Sequence, residues 1–214
     1  MLDSIASLLS DALYLIPCVL IALAFHEWAH AYAAYRLGDP TARNLGRMTI
    51  NPLAHIDPIG LIMMLVARFG WAKPVPVNSR NFKNPRRDDI IVSLAGVTVN
   101  LALAFVSVGV IFVVMALGFY NVVLLDFLEM FYSINLGLCV FNLLPIPPLD
   151  GYRVFEAFFV RWLGPNFFYN IERYGQYILL AFMLTGASSR IIGPIAAGIS
   201  NLIFAFFRFL FGWV

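Results

Sequence analysis

The feature that most constrains this chain is an H-E-x-x-H motif inside an apolar segment long enough to cross a membrane. The motif, HEWAH, begins at His26 and ends at His30, within the apolar run 12–35. An ionisable side chain in a lipid-facing helix costs about 2.5–3.5 kcal/mol on insertion scales. Because the motif brings three such side chains together, we expect them to face a protein-lined cavity in which a bound metal ion compensates for their burial.

Helical spacing places the chemically active side chains of the motif on one face. At 3.6 residues per turn, His26 and His30 are about one turn apart, and Glu27 lies beside them. Two neutral imidazoles suit Zn²⁺, and a catalytic zinc site adds a third protein ligand and keeps one position for water. The carboxylate of Glu27 can then accept a proton from that water. The alternative is a metal-free site in which these groups hydrogen-bond to neighbouring helices.

The composition indicates an integral membrane protein. The chain has 214 residues, of which 61% are hydrophobic and 12% are charged, against about 25% charged residues in soluble domains. Its length fits a single membrane-embedded domain, 1–214. A net charge of +2 without a basic block predicts no nucleic-acid partner. Cys18 and Cys139 lie in apolar runs, which indicates packed thiols and no disulfide framework.

The apolar pattern predicts an all-α polytopic membrane protein with about five transmembrane helices. The predicted spans are 12–35, 90–119, 122–144, 175–187 and 191–210. The fourth is short, so a partial or tilted hairpin is its alternative. Acidic residues precede the first span, whereas Arg36, Arg43 and Arg47 follow it. By the positive-inside rule, the end of the span that carries His30 is therefore expected to face the cytoplasm.

Two segments between the first and second spans are predicted to depart from plain helix. Arg43–Asn51 loses helical periodicity and contains Asn, Gly and Thr, which predicts short β-strands and a turn, with an ordinary connecting loop as the alternative. Exposed strand edges could take up an unfolded substrate peptide. The apolar stretch 59–66 is too short to span a bilayer and has basic flanks. It therefore predicts a re-entrant, membrane-dipping hairpin beside a wet cavity.

A second polar break follows the third predicted span. Its sequence, NLLPIPPLDG, occupies 142–151 and contains three prolines within four positions. Prolines remove backbone donors and force an extended path, and Gly151 permits an unusual backbone dihedral beside Asp150. The break is therefore expected to present the carboxylate of Asp150 at the membrane depth of His26 and His30.

Four motifs, in order along the chain, resemble those of the site-2 protease family of intramembrane zinc metalloproteases. They are HEWAH, NPLAHIDPIG at 51–60, AGVTVN at 95–100 and NLLPIPPLDG at 142–151, and the resemblance covers nearly the whole chain. The second motif matches the compact bacterial and archaeal members. The third departs from the common A-G-P-x-x-N form at Val97, which stands where proline is usual. The short turn 119–121 leaves no room for a PDZ domain.

The resemblance implies a zinc ion bound by His26, His30 and Asp150, with Glu27 as the general base that activates water. Asp57 is the alternative third ligand if Asp150 is remote. The implied reaction is hydrolysis of peptide bonds in or near the transmembrane segments of membrane-protein substrates, as in regulated intramembrane proteolysis. The implied location is a prokaryotic cell membrane, with the active site towards the cytoplasmic side.

Three further polar residues are candidates for roles in this reaction. A helical substrate must unwind locally before attack, and Asn100 or Asn142 could hold the opened backbone or the oxyanion. The alternative for both residues is hydrogen bonding between helices. His55 could approach the zinc site and support the oxyanion, or it could simply satisfy a loop carbonyl beside Asp57.

Two functions of other classes stay open. A divalent-metal transporter would need ionisable groups along a path across the membrane, whereas here they gather towards one face. A catalytically silent membrane adaptor would bind transmembrane helices without cutting them, but the intact Glu27 and the complete ligand set argue against it. The expected partners are the lipid bilayer and a transmembrane protein or peptide substrate. The sequence does not predict an oligomeric state.

Overall fold

The computed structural model describes residues 2–60, 63 and 72–212 of the chain. The helices whose two ends both lie within these residues are α1 Leu2–Arg36, α2 Thr41–Asn44, α3 Pro85–Ala116, α4 Val122–Asn142, α5 Asp150–Leu163, α6 Pro165–Leu184 and α7 Ala187–Phe211. Two single turns of 3₁₀ helix, Pro52–Ala54 and Ser79–Asn81, lie in the connection between α2 and α3. The prediction of an all-α membrane protein is confirmed.

Four of the described helices contain a segment long and apolar enough to cross a membrane. These segments are Leu13–Arg36, Pro85–Ala116, Val122–Asn142 and Ala187–Phe211. The prediction of about five spans therefore needs correction, because the predicted span 175–187 is not a separate helix. Its residues up to Leu184 continue α6, whose first half carries charged side chains. Gly186, with a φ of 69°, then ends that helix and leads into α7.

The short β-strands predicted for Arg43–Asn51 are also wrong. The chain instead forms the one-turn helix α2, which Gly46 closes with a φ of 67°. Arg47 N–H donates to the Ala42 carbonyl at 2.8 Å, and Gly46 N–H donates to the Arg43 carbonyl at 3.0 Å. This pair of hydrogen bonds is a Schellman motif, so the glycine that suggested a strand turn ends a helix.

Strand-like pairing in the described residues is limited to one isolated antiparallel bridge between Ile56 and Ala72. Lys73 N–H extends this pairing by donating to the His55 carbonyl at 2.8 Å. The predicted re-entrant hairpin at 59–66 lies largely outside the described residues.

Helices α1, α3 and α4 pack against one another and form the centre of the protein. On α1, four alanines are fully buried, namely Ala22, Ala24, Ala31 and Ala34, and Ala34 clusters with Val92 of α3. Small side chains of this kind allow the close helix–helix approach that stabilises helices in a membrane. Helix α5 packs on α3, and α7 packs against both α3 and α4. The middle of α1 is thereby enclosed by protein.

Candidate metal centre

Two elements that are distant in sequence bring the candidate ligands together. His26 and His30 lie one turn apart on α1 and are both buried. Asp150 is the first residue of α5, directly after the proline-rich break that follows α4. The two Nε2 atoms are 2.9 Å apart, and Asp150 Oδ2 lies 3.2 Å from each of them. Among the described residues, these three form a group that could hold one metal ion.

The spacing of the three atoms fits zinc. With zinc–ligand distances of about 2.0–2.2 Å, the ligand atoms of a tetrahedral zinc site are about 3.3 Å apart. The separations of 2.9, 3.2 and 3.2 Å in this protein are close to that value. Three protein ligands are also the usual number in a catalytic zinc site, where the fourth position is kept for water.

The hydrogen bonds behind the two imidazoles fix which nitrogen of each ring faces the site. His26 Nδ1 lies 2.6 Å from Asn100 Oδ1, and His30 Nδ1 lies 2.7 Å from the Val92 carbonyl oxygen. Both partners are acceptors, so each neutral ring carries its proton on Nδ1 and presents the lone pair of Nε2. Two nitrogen lone pairs and a carboxylate oxygen therefore converge, an arrangement that a cation stabilises.

Asp150 brings a carboxylate to the two imidazoles, and metal binding uses the deprotonated form of aspartate. Its Oδ2 is buried and accepts no well-formed hydrogen bond. A buried carboxylate oxygen without a hydrogen-bond donor is costly unless a cation lies beside it. The donor set and this oxygen both fit Zn²⁺.

A chain of side-chain amides supports His26. Asn100 on α3 donates from Nδ2 to Asn135 Oδ1 on α4 at 2.9 Å, and Asn135 donates from Nδ2 to the Phe131 carbonyl at 2.8 Å. Both asparagines are fully buried. Because the Nδ2 group of Asn100 donates to Asn135, the Oδ1 atom of Asn100 must face the imidazole of His26. The geometry thus favours a supporting contact between helices for Asn100 over a contact with substrate.

Two glycines provide the close approach that the site requires. A Cβ atom on Gly96 of α3 would lie 2.5 Å from His30 Nε2 and 2.6 Å from His26 Cε1. A Cβ atom on Gly151 would overlap the carbonyl group of Leu143 at the end of α4. Gly96 therefore allows α3 to pack directly on the two imidazoles, and Gly151 allows α5 to begin against α4 with Asp150 facing α1.

The carboxylate of Glu27 is buried next to the ligands and has a backbone partner. Val75 N–H, in the connection between α2 and α3, donates to Glu27 Oε2 at 2.8 Å. No hydrogen bond to the second oxygen, Oε1, is found among the described residues. Glu27 therefore has one tethered oxygen and one that can receive a proton.

The structure does not bring the other sequence candidates into the metal group. His55 is buried, and its Nε2 lies 2.8 Å from the Thr49 carbonyl oxygen, which closes a loop. Asp57 Oδ1 accepts hydrogen bonds from the backbone N–H groups of Ile59 and Gly60, both at 2.9 Å. Asn142 donates from Nδ2 to the Leu138 carbonyl of its own helix at 3.0 Å. A role of Asn142 in holding substrate stays a prediction.

Four contributors to the site were not identified from the sequence. They are Asn135, the carbonyl of Val92, the backbone N–H of Val75 and the packing notch at Gly96. An asparagine in an apolar span such as α4 is a signal that could have indicated Asn135. Gly96 could have been found because it lies one helical turn before Asn100 and hence on the same face. Backbone groups carry no such signal in the sequence.

Comparison with known proteins identifies the family. A family model described as peptidase family M50 matches residues 119–186. The chain is 39% identical over 203 residues to YwhC of Bacillus subtilis, a protein named as a candidate zinc metalloprotease, and the match covers 92% of each protein. No solved structure shows significant similarity.

Two mycobacterial proteins named Rip2, also described as candidate zinc metalloproteases, are similar over a smaller part of their length. Rip2 of Mycolicibacterium smegmatis is 32% identical over 183 residues, which are 80% of this chain and 66% of that protein. Rip2 of Mycobacterium tuberculosis is 37% identical over 147 residues, which are 64% and 54% of the two chains. The near-complete match to YwhC, the M50 model and the zinc-like geometry agree, and the chain belongs to peptidase family M50, the site-2 protease family of membrane-integrated zinc metalloproteases.

Proposed function

We propose that this protein hydrolyses peptide bonds in or near the transmembrane segments of membrane-protein substrates, as in regulated intramembrane proteolysis. The observation that carries the proposal is the convergence of His26 Nε2, His30 Nε2 and Asp150 Oδ2 within 3.2 Å of one another. The two histidines lie on α1, whose segment Leu13–Arg36 can cross a membrane. A hydrolytic site at this depth suits a substrate that is itself embedded in the bilayer.

In the proposed mechanism, His26, His30 and Asp150 would hold the zinc ion. The bound ion would supply Lewis-acid activation of water and of the scissile carbonyl. Glu27 accepts the proton of the attacking water and passes it to the leaving amine nitrogen. The Nδ1 contacts to Asn100 and Val92 hold both imidazoles in the tautomer that presents Nε2. The role of Asn142 is to hold the opened substrate backbone or the oxyanion.

The proposed site lies close to one face of the membrane. His30 precedes the end of α1 at Arg36 by six residues, which corresponds to about 9 Å along a helix. Arg36, Arg43 and Arg47 follow in the next loop, and under the positive-inside rule they support our proposal that this face is the cytoplasmic side of a prokaryotic cell membrane. A substrate would therefore be cut towards the cytoplasmic end of its span, after local unwinding of its helix.

The proposed function is tested with purified protein in liposomes that contain a labelled single-span substrate. Proteolysis predicts cleavage within or beside the span, loss of cleavage after a chelator removes zinc, and recovery when Zn²⁺ is added. Zinc flux into the liposomes without cleavage would favour a transporter. Stable association with the substrate but no cleavage in the zinc-loaded state would favour an adaptor. Either result would overturn the proposal.

We expect Asp150→Ala to lose most of the bound zinc, because two imidazoles alone leave the ion without its anionic ligand. The zinc content per protein should fall from about one to near zero after dialysis at neutral pH. The measurement is elemental analysis of the purified protein. Asp126→Ala is the matched control, since Asp126 is an exposed residue of α4. Equal zinc content in Asp150→Ala and the unchanged protein would move the third ligand elsewhere.

We expect Asn100→Ala to weaken zinc binding by about 10- to 100-fold, as is typical when the partner of a metal-binding histidine is removed. Asn100→Asp should retain most of the affinity, because it keeps an acceptor for His26 Nδ1–H. Asn135→Ala should have a smaller effect, since it acts on His26 through Asn100. Competition with a chelator of known affinity measures all three variants.

The control for the asparagine series is Thr98→Ala on the same helix. The Thr98 hydroxyl is exposed and donates to the Leu94 carbonyl of α3, so its removal should leave zinc affinity unchanged. If Asn100→Ala bound zinc as tightly as Thr98→Ala, the asparagine would not be supporting His26.

A further inference from the structure

An extended, proline-containing segment crosses α1 at the candidate active site. This segment, Lys73–Val77, has the sequence KPVPV and is here called the proline strap. Its middle residue is buried against Ala31 of α1 and Ala42 of α2. At this point the backbone N–H of Val75 donates to Glu27 Oε2 at 2.8 Å. The contact joins the general base of the proposed mechanism to a segment 48 positions later in the chain.

The sequence of the strap leaves Val75 as its central hydrogen-bond donor. Proline has no backbone N–H, so neither Pro74 nor Pro76 can donate. A residue that precedes proline is also restricted to extended conformations, and Pro76 imposes this restriction on Val75. One N–H group is therefore presented between two positions that have none, in a backbone with little conformational freedom.

The strap is fixed on both sides of Val75. Arg47 donates to the carbonyls of Lys73 and Pro74 at 2.7 and 3.2 Å. Beyond the other end, Asn78 N–H donates to Asp39 Oδ2 at 2.7 Å. Asp39 is fully buried, and burial opposes its ionisation, but its hydrogen bonds hold its pKa below the usual range. The charged Asp39 and Arg47 thus hold the N–H of Val75 in place.

We propose that the backbone N–H of Val75 is the positioning group of the catalytic carboxylate. It holds Oε2 of Glu27, and so directs Oε1 towards the water that attacks the substrate. The terminal torsion of a glutamate is broad and roughly two-fold, so an untethered carboxylate would populate many orientations. A single charge-assisted hydrogen bond removes most of this freedom, and catalysis by a pre-positioned base depends on such alignment. The proposal rests on the proposed function, in which Glu27 takes the proton.

The hydrogen bond itself can be tested without enzyme activity, by hydrogen exchange of the full-length protein. In a fragment that covers the strap, Val75 is the one exchangeable amide between Pro74 and Pro76. Glu27→Ala removes the acceptor and should accelerate exchange at Val75 at least 10-fold. Glu27→Gln keeps an oxygen acceptor, and its exchange should stay within about threefold of the unchanged protein. Equal exchange at Val75 in Glu27→Ala and the unchanged protein would overturn the proposal.

The catalytic consequence is tested by Val75→Pro, which removes the N–H and keeps an extended backbone. We expect kcat to fall about 10- to 100-fold while KM and zinc content stay unchanged, since misplacing a catalytic group by about 1 Å can cost 100-fold. Val77→Pro is the matched control, because it removes an N–H that has no hydrogen-bond partner among the described residues, and it should stay within threefold of the unchanged protein.

The outcomes separate this proposal from the function on which it rests. Equal kcat in Val75→Pro and Val77→Pro would overturn the positioning role. If Val75→Pro did not fold, the exchange measurement would still decide whether the hydrogen bond exists. If the unchanged, zinc-loaded protein did not cleave any membrane substrate, the proposed function would fail even where Val75 exchange depended on Glu27.

Discussion

Glu27→Gln is expected to abolish proteolysis while zinc remains bound. Glutamine has nearly the same shape as glutamate and keeps an oxygen that can accept the hydrogen bond from Val75. It cannot accept a proton from water at neutral pH, so the general base is lost. Positioned acid–base groups contribute about 100- to 10,000-fold to rate, and we expect kcat to fall within that range. His26, His30 and Asp150 are unchanged in this variant.

The measurement combines single-turnover cleavage of the membrane substrate with elemental analysis of the same preparation. Glu129→Gln is the matched control, because it makes the same chemical change at an exposed position on α4. The control should retain full activity and zinc. Loss of zinc in Glu27→Gln would show that Glu27 is needed for metal binding, and the loss of activity could then not be assigned to the loss of a general base. Activity within fivefold of the unchanged protein would assign the base to another residue.

The part of the site that lies on α1 could be predicted from the sequence because its geometry is local. His26, Glu27 and His30 are held at fixed angles by one helix. An apolar run of this length predicts a membrane span, and the position of a residue within the span gives its depth. Asp150 could be placed because the prolines before it force the chain to leave α4 at a defined point. Asp150 could therefore be assigned to the site from two sequence motifs 120 positions apart, without a calculation of tertiary packing.

The contacts to these groups that are made by backbone atoms could not be predicted from the sequence. The partner of His30 is the carbonyl of Val92, and every residue of a helix has such a carbonyl. Val75 in the loop before α3 donates to Glu27 through an N–H that every residue except proline possesses. Gly46 follows the end of α2, and the sequence cannot distinguish a helix end from a strand turn, since glycine adopts a positive φ in both settings.

The helix boundaries also could not be predicted from hydropathy, because one helix can continue from a polar segment into an apolar one. The apolar residues after Tyr174 suggested a separate span, but the helix had already begun at Pro165. Glu172 and Arg173 do not break a helix, so a polar half and an apolar half form one element, α6. Hydropathy reports the solvent that a segment prefers, whereas helix ends depend on groups such as Gly164 and Gly186, which have φ values of 80° and 69°.

Gly96→Ala is expected to destroy the metal centre by adding a single methyl group. The added carbon would lie 2.5 Å from His30 Nε2, and 2.6 and 2.7 Å from Cε1 and Nδ1 of His26. Flexible side chains could move away, but these rings are held from behind by Asn100 and the Val92 carbonyl. Either the imidazoles rotate out of register or α3 moves away from α1. Both outcomes separate the nitrogen atoms from Asp150.

We expect zinc affinity in Gly96→Ala to fall by more than about 100-fold, beyond the effect of losing one supporting contact. Overpacking should also lower the free energy of unfolding by about 1–3 kcal/mol. Chelator competition and thermal unfolding in detergent measure the two effects. Gly137→Ala on α4 is the matched control, because its Cβ would meet no atom within 4 Å, and alanine is favoured over glycine in a helix. Full zinc content and activity in Gly96→Ala would show that α3 does not pack on the imidazoles as described.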